Sequence, residues 1–113
     1  MAEPTLSAVF GSGATQDSAS VTFSKTDLAT VGLTASSTNT AEAILAAIVL
    51  KAKNYLTQSN FDANLDQSIL IEPGFNSIVT RTDASGNSTE HRQFQYNINL
   101  HKLDTSVVDP DDF

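Results

Sequence analysis

The segment Gln-Phe-Gln-Tyr-Asn-Ile-Asn-Leu-His at residues 93–101 carries the clearest structural signal in this chain. Its apolar positions are Phe94, Tyr96, Ile98 and Leu100, and its amide positions are Gln93, Gln95, Asn97 and Asn99. Successive side chains of a β-strand point to opposite faces, so this alternation predicts a strand with one face on the core and one polar face. The polar face is either an ordinary solvent-facing surface or a contact with another subunit, and the sequence leaves both interpretations open.

Four shorter runs predict the strands that accompany this one. Residues 68–72 and 77–81 are short apolar runs, and residues 83–87 (Asp-Ala-Ser-Gly-Asn) have the composition of a hairpin loop. Nearer the start of the chain, residues 5–10 and 21–24 each predict a further short strand. Together these segments predict an antiparallel sheet of four or five strands.

One long helix is predicted between residues 41 and 56. Thr40 is a good N-cap, and Glu42 places a carboxylate in the first turn, where the helix dipole favours negative charge. The first half of this segment is apolar on nearly all sides, which indicates burial on more than one side and predicts a homodimer. Residues 58–66 are polar and predict a loop. The predicted fold class is therefore α+β, with the antiparallel sheet packed against one long helix.

The length of 113 residues fits one domain with less ordered ends. Residues 11–18 are rich in Gly and Ser, which indicates a flexible link. We therefore expect an N-terminal arm with this link at residues 1–19, a compact domain at 20–103 and an acidic tail at 104–113. The tail is predicted to have no regular structure by itself.

Composition excludes several classes of function. The chain has 6 basic and 13 acidic residues, a net charge of −7, and the basic residues are scattered. Nucleic-acid binding and anionic membrane surfaces both favour clustered positive charge, so neither partner is expected. The most apolar stretch, residues 41–50, is too short to span a bilayer. Residues 1–4 lack the pattern of a secretory signal, so we expect a soluble protein made in the cytoplasm.

The chain offers no recognisable catalytic motif. It has no cysteine, and its two histidines, His91 and His101, lie ten residues apart near opposite ends of one predicted strand. At about 3.3 Å per residue, a straight strand keeps them too far apart to share a metal ion or a proton. The acidic run at residues 109–112 lacks the ligand spacing of a calcium loop, although weak cation binding stays open. We predict a protein without catalytic residues, cofactor or metal.

Three stretches, at residues 20–33, 41–57 and 60–71, together resemble small virion proteins of tailed phages that infect cyanobacteria. The overall pattern over roughly residues 20–103 is most similar to that of the cement, or decoration, proteins of their capsids. This resemblance implies a protein that binds the outside of a shell of major capsid protein. It also implies a dimer or trimer at a symmetry axis that resists the pressure of the packaged DNA.

The expected contacts with partners lie on the amide face and at the two ends of the chain. The candidate contact residues are Phe10, Gln93, Gln95, Asn97, Asn99, Val107, Val108 and Phe113. Two other functions stay open: a structural subunit of the virion tail or neck, and an acidic inhibitor that mimics the charge of DNA. A tail subunit predicts a ring around a channel, whereas a DNA mimic predicts carboxylates concentrated on one face.

Overall fold

A computed structural model describes residues 2–102, 104 and 111. The helices are α1 (Leu6–Phe10), α2 (Lys25–Ala29), α3 (Ala41–Tyr55) and α4 (Gln58–Ala63). The strands are β1 (Thr15–Gln16), β2 (Val21–Thr22), β3 (Ile69–Pro73), β4 (Ser77–Thr82), β5 (Ser88–Gln93) and β6 (Tyr96–Leu100). A mixed α+β chain with antiparallel strands is confirmed. A single sheet of four or five strands on one long helix is not confirmed, because the strands form three separate pairs: β1–β2, β3–β6 and β4–β5.

Helix α3 begins and ends close to the predicted positions. The hydroxyl oxygen of Thr40 accepts a hydrogen bond from the backbone N–H of Ala43 at 3.1 Å, which satisfies one of the free donors of the first turn. Glu42 lies in the first turn and Lys53 in the last, so both charges complement the helix dipole.

Two segments form helices where the sequence predicted a strand and a loop. Residues 6–10 form α1 because the hydroxyl of Thr5 accepts a bond from the N–H of Ala8. Residues 58–63 form α4 because the hydroxyl of Thr57 accepts a bond from the N–H of Asn60. The strand prediction for residues 5–10 and the loop prediction for 58–66 are therefore wrong, since an N-cap threonine starts each helix.

Gly11 lies in a tight contact between the end of α1 and α2. Its φ is 107°, a backbone conformation that favours glycine, and a Cβ atom there would lie 2.4 Å from side-chain atoms of Asp27. The same carboxylate accepts a bond from the N–H of Gly13 at 2.8 Å. Helix α1 packs on α3. The boundaries predicted at residues 19 and 103 stay predictions.

The core lies where α1, the second half of α3 and β3 meet. Its buried members are Val9, Ala52, Leu56 and Ile71, with Phe10, Tyr55, Ile69 and Tyr96 packed around them. The outer edge of β3 is covered by the end of α3, because the N–H of Ile71 donates to the carbonyl of Leu56 at 2.8 Å. The buried Gln67 side chain also donates to the carbonyl of Ile69 at 2.9 Å. Strand β3 is therefore the covered strand of its pair, and β6 lies at the edge.

Candidate assembly surface

Strands β4 and β5 form an arm that projects from the body. The two strands pair from Ser77 opposite Gln93 to Thr82 opposite Ser88, and no helix or other strand packs on them to a comparable extent. Apart from the half-buried Val79, all their side chains are exposed. Six residues at about 3.3 Å each give an arm of about 20 Å. We call residues 77–93 the arm.

The tip of the arm is a hairpin loop at residues 83–87, as the sequence predicted. The carboxylate of Asp83 accepts bonds from the N–H groups of Ser85 and Asn87 at 2.8 and 2.9 Å. Gly86 has a φ of 87°, which its lack of a side chain permits. The backbone N–H of Asn87 is the main cause that lowers the pKa of Asp83 below its ordinary value.

A break in the backbone ladder joins the arm to the body. Residues 74–76 lie opposite residues 94–95, so the first strand carries one extra residue and the register shifts. Side chains replace part of the missing ladder: Oε1 of Gln95 accepts from the N–H of Phe75 at 3.0 Å, and Oδ1 of Asn76 accepts from the N–H of Gln95 at 3.2 Å. The prediction of one continuous strand over residues 93–101 is therefore wrong.

This joint exposes aromatic side chains. Phe75 is 88% exposed and Phe94, which the alternation had assigned to the core, is 63% exposed. Phe94 and Tyr96 face Ala46, Val49 and Leu50 of α3 across an open groove of about 520 Å³. These exposed apolar side chains make the joint a candidate contact surface.

Strand β6 keeps its predicted alternation but lacks the predicted cover. Tyr96 packs on the core, and the amine of Lys53 lies 5.7 Å from the centre of its ring. Farther along the same face, Ile98 is 49% and Leu100 is 74% exposed. The prediction that this face packs on the core therefore holds for Tyr96 and fails for Ile98 and Leu100, because the core reaches only the Tyr96 end of β6.

The candidate contact residues occupy different environments. Phe10 is half-buried against Phe23, with ring centres 4.6 Å apart. Gln93 ends β5, and the side chain of Gln95 is engaged in the joint, so neither continues the amide face of β6. Asn97 and Asn99 do share one exposed face of β6. Val107, Val108 and Phe113 lie outside the described residues, as does all of the tail except Asp104 and Asp111.

The histidines lie on separate parts of the surface. A ring nitrogen of His91 in the arm lies 2.9 Å from the hydroxyl of Thr89, whereas the ring of His101 packs on Phe61 with centres 4.7 Å apart. Within the described part of the chain, no three His, Asp or Glu side chains gather as a metal site requires. None of the described helices has the length and apolar character needed to cross a bilayer.

Sequence reasoning missed the exposed residues at the joint. Phe75 follows Pro73-Gly74, a dipeptide that interrupts strands, and this signal alone pointed to a break. The second half of the joint, at Phe94, carries no local signal, because it depends on bonds that Gln95 makes across the pair.

Comparisons of the chain with protein-family models, with curated proteins and with solved structures found no significant match.

Proposed function

We propose that the chain is a non-enzymatic structural protein of a phage virion, a capsid cement protein. It is made in the host cytoplasm and binds the outer surface of a shell of major capsid protein, which it stabilises. The observation that carries this proposal is the arm, whose two faces are almost wholly exposed. A two-stranded hairpin is marginally stable in water by itself, so the arm gains stability when it lies on a neighbouring surface.

The shape of the chain supports contact with more than one neighbour. The radius of gyration is 18.9 Å and the longest dimension is 58 Å. A compact chain of this length has a radius of gyration of about 13 Å. A body bound to one capsid subunit with an arm laid on the next links the two subunits. Repetition over a closed shell then adds many modest contacts together.

The net charge is distributed unevenly between the arm and the rest of the chain. The arm carries Arg81 and Arg92 against Asp83 and Glu90, so it is neutral, and the whole net charge of −7 belongs to the rest of the chain. The acidic remainder of the chain, which includes the four aspartates of the tail at 104–113, complements a basic patch on the shell, so binding weakens as salt increases. The neutral arm approaches either sign of surface without repulsion.

In this proposal, the single sheet of four or five strands predicted from the sequence forms only in the assembled protein. Each described sheet has two strands, which is fewer than an independently stable sheet requires. Strands from neighbouring molecules complete it.

A shortened arm tests the proposal. Deletion of residues 79–82 and 88–91 removes four residues from each strand, keeps the loop at 83–87 and preserves which pairs are hydrogen-bonded. It removes one arginine and one glutamate, so the net charge does not change. The variant therefore differs from the full chain in arm length alone.

The measurement is co-sedimentation with capsids of the parent phage assembled without this protein, together with the temperature at which the capsids open. The full chain is expected to bind and to raise that temperature. The shortened chain, with a circular dichroism spectrum that shows a folded body, is expected to bind at least about tenfold more weakly. Equal binding by both chains contradicts the role of the arm. Binding of the full chain to purified tails and not to capsids contradicts the cement function and supports the tail alternative.

A further inference from the structure

The outward edge of β6 carries a row of backbone groups that no other described residue binds. The N–H of Ile71 points away from β6 to the carbonyl of Leu56. The pair Ile71–Ile98 is therefore of the non-hydrogen-bonded kind, and such pairs alternate with bonded ones along an antiparallel ladder. The N–H of His101 donates to the carbonyl of Ser68, and this bonded pair, three residues along from Ile71–Ile98, fits the alternation.

It follows that the backbone N–H and C=O groups of Tyr96, Ile98 and Leu100 point away from β3. Among the residues that the structure describes, none forms a backbone hydrogen bond with this outer edge. Proteins usually guard such an edge with lysine, proline or a bulge, because it is a template for another strand. Residues 93–100 contain no charged residue and no proline. Within the described part of the chain this edge is therefore open, with no charge or proline along it.

We infer that β6 pairs antiparallel with β6 of a second copy of this chain about a two-fold axis at Ile98. The result is a four-stranded sheet with the order β3–β6–β6′–β3′. This inference goes beyond the proposed function, because it concerns two copies of the chain in the absence of any capsid.

The residues of β6 are complementary to themselves in this register. Ile98 meets its own copy on the axis, and Tyr96 lies opposite Leu100 of the second copy, which gives two aromatic–aliphatic pairs on the apolar face. On the other face, Asn97 lies opposite Asn99 of the second copy. Amide side chains both donate and accept, so two of them satisfy each other without any third group.

The absence of charge on β6 favours a second copy of the chain as the partner that pairs with this edge. Each chain carries −7, so most contacts between two copies bring like charges together. The uncharged β6 is a place where two copies meet without that cost. A symmetric dimer also uses the same patch twice, which fits a strand that is complementary to itself.

A lysine at the axis tests the inference in the full chain. Ile98→Lys places two like charges at the two-fold axis. Val21→Lys is the matched control, since Val21 lies in β2 with 51% exposure against 49% for Ile98. Analytical ultracentrifugation without capsids is expected to find the wild type and Val21→Lys as dimers, and a dissociation constant raised at least about tenfold for Ile98→Lys. A monomeric wild type at high concentration overturns the inference, and so does an unchanged constant for Ile98→Lys.

Proline variants locate the contact on the outer edge. Ile98→Pro removes an outward N–H and leaves every bond to β3, whereas Asn99→Pro removes a donor to β3. We expect a folded monomer from the first and a destabilised fold from the second. If Ile98→Pro fails to fold, amide exchange of the wild type decides. The amides of Ile98 and Leu100 are expected to exchange faster on dilution. Protection of these amides that is the same in dilute and in concentrated protein contradicts the pairing.

Discussion

At the scale of single residues, burial in the body carries the free energy of folding. Ile71 of β3 is almost fully buried against α1 and α3, whereas Ile78 in the arm is half-exposed. Removal of buried methyl groups costs both transfer free energy and the cavity left behind. Removal of the same groups from the arm leaves no cavity.

We predict that Ile71→Ala lowers the free energy of unfolding by about 2–5 kcal/mol. The matched change Ile78→Ala is expected to lower it by less than about 0.5 kcal/mol, because the side chain is largely in water in both states. Urea unfolding of the three chains measures both values. Similar losses for the two variants would show that the arm is packed as tightly as the core.

A comparison of Gly11 and Gly32, which have the same φ, distinguishes the stability cost of backbone strain from that of steric crowding. Gly11 and Gly32 both have a φ of 107°, but an added Cβ meets Asp27 at Gly11 and nothing within 4 Å at Gly32. We predict that Gly32→Ala costs about 1–2 kcal/mol of stability from backbone strain alone. Gly11→Ala is expected to cost a further 1–3 kcal/mol or so, because the Asp27 side chain must move. Thermal unfolding checks this order, and equal losses would contradict the contact with Asp27.

At the scale of elements, the loop at the tip of the arm depends on one carboxylate. The folded state lowers the pKa of Asp83, chiefly through the N–H of Asn87, so the ionised form favours the loop. This contribution is present above the ordinary pKa of an unfolded aspartate and is lost as the pH falls through the lowered pKa of the folded state.

We therefore predict that the amide resonances of Ser85 and Asn87 shift together as the pH falls below the ordinary titration range of aspartate. Nuclear magnetic resonance over that range is the measurement, and Asp83→Asn is the control, since it has no proton to take up. A midpoint at the ordinary aspartate value, or no shift, would contradict the bonds at the tip.

Local signals predicted some elements and missed others for physical reasons. The cap at Thr40 and the long apolar run after it predicted α3, and short apolar runs predicted β3 and β4. The helices α1 and α4 were missed because their capping threonines start segments whose own composition does not favour helix. The assembly surface was missed in part because alternation identifies the apolar face of a strand but not the element that covers it.

At the scale of the whole molecule, a small core supports a shape that is far from compact. The core joins α1, α3 and β3, whereas the strands of the arm pair only with each other. A larger core would stabilise a compact monomer further, and under the proposed function contacts with neighbouring molecules supply that stability here. The exposed aromatic residues at the joint, Phe75 and Phe94, are the apolar part of that surface.

The most direct test of this account is hydrogen exchange of the arm amides, measured on the free chain and on the chain bound to capsids. In the free chain, the amides of β4 and β5 are expected to exchange at least about tenfold faster than those of the covered strand β3. On capsids, the same arm amides are expected to slow by at least about tenfold, because the arm then lies on a neighbouring subunit. Arm amides that are as protected as β3 in the free chain, and that do not change on capsids, would contradict the central claim that the arm is a surface for assembly.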